Sequence, residues 1–99
     1  MDSRAHSRVV VDREMQCEID GVMEWAYLYD LSAGGAMIEV QHAKIDIGSQ
    51  IRLHLHDIIT ASGRVAWKID KYVGVQFDGL LGDAIVEHLG FSASSLGFN

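Results

Sequence analysis

The chain reads as a mainly β protein, and three observations carry that expectation. Proline is absent from its 99 residues, while ten glycines stand mostly between apolar runs, the punctuation of short strands joined by turns. Apolar residues alternate with a period of two along most of the length. The period changes only near the C-terminus, where Leu81, Ile85 and Leu89 recur every four residues, the stripe of one short helix. Six strands and a helix at this spacing fit a small antiparallel barrel or sandwich, plugged or flanked by the helix.

The first strand spans Val9 to Ile19, β-branched at its start and then alternating, with Val11, Met15, Cys17 and Ile19 on one parity. Asp20-Gly21 is a strong hairpin signal. A second strand runs from about Met23 to Tyr29 and ends in a polar turn, Asp30 to Gly35. Trp25, Tyr27 and Tyr29 share a parity there and read as core and rim packing. Ala36, Ile38 and Val40 alternate in a third strand. After Gly48-Ser49 a fourth sends Ile51, Leu53 and Leu55 one way and Arg52, His54 and His56 the other. Ile58 to Lys68 makes the fifth, with Trp67 read as core, and Lys71 to Asp78 the sixth. The Ser/Gly-rich end, residues 90–99, reads as a flexible tail, leaving residues 1–89 as one domain.

Composition narrows the function. Hydrophobic content of 48% and charged content of 22% are those of an ordinary globular domain. A formal charge of −6 argues against duplex nucleic acid as partner, because such proteins carry a basic footprint. The one cysteine, Cys17, cannot form an internal disulfide and reads as packing. No apolar stretch follows Met1 to suggest a secretory signal, and no run reaches the roughly 20 residues of a membrane span, so a cytoplasmic location is expected. Catalytic signatures are missing: there is no Gly-x-Ser-x-Gly elbow, phosphate-binding loop, dinucleotide glycine fingerprint or His-Glu-x-x-His. His54 and His56, beside Asp57, lack further ligands for zinc and read as a surface pair.

Two clusters remain. Arg4 and Arg8 lie four residues apart in a stretch, residues 3–11, that contains no acid. Guanidinium is a planar, permanently charged fork suited to phosphate oxygens and to the O6/N7 edge of guanine. Asp30, Ser32 and Gly35 form an Asp-x-Ser-x-x-Gly pattern able to supply short hydrogen bonds to a second polar edge. Together they suggest a site for a small guanine nucleotide.

These clusters, with Gly63-Arg64-Val65-Ala66-Trp67 and Gly74-Val75-Gln76-Phe77 after them in order, resemble the PilZ family of cyclic di-GMP receptors. The resemblance covers nearly the whole chain. It implies a six-stranded antiparallel β-barrel with a short C-terminal α-helix, no cofactor and no catalysis. It also implies cyclic di-GMP held by Arg4 and Arg8 on one side and by Asp30, Ser32 and Gly35 on the other. Asp30 would accept from the guanine N1–H and N2–H₂ edge, while Gly34 and Gly35 would allow close approach and positive φ. A charged hydrogen bond contributes roughly 1.5–3 kcal/mol, against ~1–2 kcal/mol to order each residue. The arm of residues 1–8 is therefore expected to be mobile when empty and ordered when occupied, signalling to a downstream protein. Ser3 adds no further cation, which favours one nucleotide over a stacked pair. An adaptor acting through protein contacts without nucleotide is the alternative within the same family.

Overall fold

A computed structural model of the chain describes residues 9–41, 44–56 and 59–89. The expectations for residues 1–8, Arg4 and Arg8 included, and for residues 90–99 lie outside the described residues. Six strands, β1 (Val9–Ile19), β2 (Val22–Ser32), β3 (Gly35–Val40), β4 (Gln50–His56), β5 (Ile59–Ile69) and β6 (Tyr72–Phe77), precede a helix α1 over residues 83–89. All pairings are antiparallel, and the strands close a barrel in the order β1-β2-β3-β6-β5-β4. Of the two architectures the strand pattern allowed, the barrel is the one formed.

The β1–β2 turn follows the Asp-Gly signal: Asp20 and Gly21 both take positive φ, 49° and 88°, as a two-residue turn matched to strand twist requires. Inward parity is aliphatic. Leu28, Leu31, Ile38, Leu53 and Leu55 are fully buried, and no polar or charged side chain among the described residues is. Val86 and Leu89 bury the inner face of α1, with Ile85 half-buried beside them. The helix approach is tied to the barrel by the Leu81 amide, which donates to the Ala33 carbonyl at 2.9 Å.

Bulges explain where the structure departs from simple alternation. In β2, Leu28 pairs with Ile38 but Asp30 with Met37, so Tyr29 is an extra residue against β3. The parity therefore flips: Ala26 and Leu28 point inward before the bulge, Leu31 after it. A strand ending at Tyr29 is thus corrected to one that continues to Ser32, with a turn of only Ala33 and Gly34. Asp30 lies inside the strand, not in the turn. On the facing strand, Asp12 absorbs the same irregularity at φ 61°, a left-handed conformation that aspartate tolerates better than most residues.

A further bulge at Ala66 lies between the Val65–Val75 and Trp67–Gly74 pairs. Beyond Val65 no residue of β5 is buried, and Trp67 is 39% exposed on the outer surface, not in the core as its sequence setting suggested. Trp25 is 64% exposed, and Tyr27 and Tyr29 are half-buried, all on the outer side of β2. The residues between them, Ala26 and Leu28, take the inward places. Phe77 of β6 is the one buried ring among the described residues, and the otherwise aliphatic interior leaves Trp67 and the rings of β2 outside.

Gly63 on β5 is buried against β6, where a Cβ would overlap the Gln76 carbonyl. Gly63→Ala must displace backbone, so it should cost about 3 kcal/mol, the upper range for overpacking, read as a lowered urea midpoint. Burial pushes the Cys17 thiol up from 9.0 to about 11, with the Glu24 carboxylate adding to the effect. The unfolded chain loses that proton first, so stability falls as pH rises from 9 towards 11. Denaturation across that window should show a shallower slope for Cys17→Ala, and the native thiol should resist Ellman's reagent until the protein unfolds.

Candidate functional site

The hairpin between β2 and β3 is held from two directions. Ser32 and Gly35 face each other across it, and the Ser32 hydroxyl donates to the Gly35 carbonyl at 3.3 Å. From outside, the Phe77 amide donates to the Gly34 carbonyl at 2.9 Å, so the turn is fastened to the end of β6. Gly35 is required by contact, because a Cβ there would run into the carbonyl oxygen of Val75. Neither Gly34 nor Gly35 has positive φ. The expected left-handed backbone is thus replaced by close passage of a neighbouring strand.

Leu31 is fully buried, so its neighbours Asp30 and Ser32 take the outer side of β2. Asp30 is half-buried and sits between Val10 on β1 and Met37 on β3. Beside Ser32 lies a depression of about 260 Å³ whose lining includes Gly34, Gly35, Met37, Trp67, Gly74 and Gln76. Gly74 lies under the Trp67 indole, which fills the space a Cβ would occupy. The indole therefore lies flat against the sheet instead of standing off it. Asp30, Ser32 and Gly35 are brought together at one end of the barrel, as the Asp-x-Ser-x-x-Gly pattern suggested.

Trp67 is the functional candidate that sequence reasoning placed wrongly. The signal was present in Gly74, a residue too small to fill the outer surface and paired directly with the tryptophan. Arg64 was missed as well. It is exposed and pairs with Gln76, which pairs in turn with Gly35, so a guanidinium stands two strands from the turn, about 10 Å at ordinary interstrand spacing.

A larger depression of about 400 Å³ has Glu18, Asp20 and Asp78 around Arg52, whose guanidinium already lies 3.9 Å from Glu18. Its carboxylates make it a poor place for an anion. His54 meets Glu18 at 3.0 Å and His56 is exposed, while Asp57 lies outside the described residues. No cluster of three or more metal-ligating side chains occurs among the described residues. No described helix is long and apolar enough to cross a membrane.

A closed six-stranded barrel with a glycine-floored, tryptophan-sided ledge at its β2–β3 end defines a class of small β-barrel domains. The sequence matches the PilZ domain over residues 2–90, and the chain belongs to that family. Among solved structures it is similar to the PilZ domain with c-di-GMP of YcgR from Escherichia coli, at 18% identity and a TM-score of 0.59, covering 97% of this chain and 95% of that one. At that identity the likeness speaks for the fold. No curated protein sequence matches the chain.

Gly74→Ala should expel the indole from its seat. In a Trp25→Phe background, which leaves Trp67 as the sole tryptophan, emission should move to the red relative to the parent. An unchanged spectrum would show that the indole does not depend on the glycine.

Proposed function

We propose that this chain is a non-catalytic cytoplasmic receptor for cyclic di-GMP that passes the signal to a partner protein. One observation supports it above others: Ser32 lines a ledge that Gly35 and Gly74 keep low and Trp67 borders, and Asp30 stands two residues away on the same side of β2, paired with Met37 of the lining. The family membership and the c-di-GMP of the similar YcgR domain support the choice of ligand.

The chemistry follows from the groups at the ledge. The Asp30 carboxylate accepts from the guanine N1–H and N2–H₂ edge, which adenine does not offer. The Ser32 hydroxyl, now turned to the Gly35 carbonyl, is within its own rotation of a new partner. The exposed indole gives a purine a flat surface, and stacking of a base on an aromatic ring contributes about 1–3 kcal/mol. Two phosphates then need cations. The register of β1 supplies a reason to draw them from Arg4 and Arg8: Val9 pairs with Leu31, so Arg8 is bonded to a residue already opposite the Asp30–Ser32 segment. Arg4 lies five residues from Val9, a span of at most about 18 Å. Arginine contacts to the nucleotide offset the ordering of residues 1–8, and the ordered arm becomes the surface that the partner reads.

Calorimetry tests this. Cyclic di-GMP should bind at micromolar concentration or below, about −8 kcal/mol. Arg8→Ala and Asp30→Ala should each weaken binding more than tenfold, and Trp67→Ala about tenfold, with Trp67→Phe retaining most of the affinity. Unchanged affinity in Arg8→Ala and Asp30→Ala would remove the site.

A further inference from the structure

The outer surface of β2 carries a second arrangement that the nucleotide reading leaves unused. Glu14 on β1, Tyr27 on β2, Glu39 on β3 and Tyr72 on β6 stand in one cross-strand row, acid and ring in alternation. Trp25 and Tyr29 flank Tyr27 on the same strand. With Glu14, Glu39 and Gln41 these rings enclose an open cup of about 240 Å³.

Its rings are held in place. The Tyr27 hydroxyl donates to Asp12 at 2.6 Å, and the Tyr29 hydroxyl donates to Glu39. The two rings meet edge to face, 4.9 Å apart, and Tyr72 closes on Tyr29 at 5.9 Å. Both phenols are pushed upward in pKa, chiefly by these hydrogen bonds, and Glu39 is held below the usual carboxylate range, chiefly by Tyr29 and then Lys71. Phenol donating to carboxylate leaves electron-rich ring faces beside ionised acids. Among the described residues, Glu14 and Glu39 line the cup and Asp12 holds the Tyr27 hydroxyl beside it, against one ammonium, Lys71, which is already 3.4 Å from Glu39. Glu14 has no hydrogen-bond or ion-pair partner among the described residues.

We infer that this cup is a docking site for an arginine side chain of a partner protein. Guanidinium is flat enough to stack on Trp25 and Tyr27 and presents the fork that a carboxylate such as Glu14 accepts. Charge complementarity also selects against a second copy of the chain. A two-fold contact through this surface would bring the same carboxylates face to face in a protein of net charge −6. The inference does not depend on nucleotide binding, because the cup lies towards the Trp25 end of β2 and the ledge at the Ser32 end.

The test uses the whole chain, ¹⁵N-labelled, titrated with acetyl-Gly-Arg-Gly-Arg-Gly-amide and with the same peptide carrying neutral citrulline in place of arginine. The arginine peptide should shift the Trp25 indole and the Tyr27 and Tyr29 amides, and bind about tenfold more tightly than the citrulline peptide. Trp25→Ala and Glu14→Gln should each weaken it about fivefold, whereas Glu87→Gln, the same charge change on α1, should not. Equal binding of both peptides, or unchanged binding by both cup variants, would overturn the inference. So would shifts at Trp25 that depend on protein concentration without peptide, which would assign the surface to a second copy. Asp30→Ala, which the nucleotide reading expects to lose cyclic di-GMP, should bind the peptide normally, so the two readings fail separately.

Discussion

The last residues of β6 run between two glycines, and the β2–β3 end of the barrel depends on that passage. Gly35 on β3 pairs with Gln76, and Gly63 on β5 pairs with Phe77. At each glycine a Cβ would strike β6 backbone, at Val75 and Gln76 respectively. Backbone contact from both sides draws β3, β6 and β5 into a tight corner. The Phe77 amide then reaches the Gly34 carbonyl and the Asp78 amide the Ser62 carbonyl, each at 2.9 Å. The β2–β3 turn, the ledge beside it and the chain leading to α1 all take their positions from this corner. Overlap with backbone is costlier to relieve than overlap with a side chain, which can rotate away.

Strands were legible because inward parity is nearly pure aliphatic, and the Asp20-Gly21 turn because few dipeptides accept two consecutive positive φ values. Irregular positions were not. A bulge adds a residue without any compositional mark, so Asp30 read as the start of a turn when it is a strand residue three places before one. Trp67 read as core because large apolar side chains are usually inside. Only its partner Gly74, which needs a cover on the outer surface, says otherwise, and that pairing is a property of register. The Asp-x-Ser-x-x-Gly pattern marks the β2–β3 end of the barrel, although Gly35 serves packing between strands and not an unusual backbone angle.

An interior in which no polar or charged residue is buried whole, among the described residues, has a consequence for chemistry. Apart from the Cys17 thiol, every acid, base and hydrogen-bonding side chain described stands at the rim or outside. Depressions on such a surface are shallow, and a ligand resting in one keeps a side open to water. Tight recognition then calls for additional chain laid over the ligand. That physical need is what an N-terminal pair of arginines is suited to meet, and it is why the barrel and the arm belong to one proposal.

Asp12 links regions that are otherwise separate. Its left-handed backbone lets β1 accommodate the irregularity opposite Tyr29, while its carboxylate holds the Tyr27 phenol. The same short stretch of chain thus begins beside the ledge, two residues from Val10 and its partner Asp30, and ends by steadying an aromatic ring one row further along. Any tug on the leading end of β1 meets Val11 in the aliphatic interior and then this kink, so two consecutive residues couple the centre of the barrel to its outer rings.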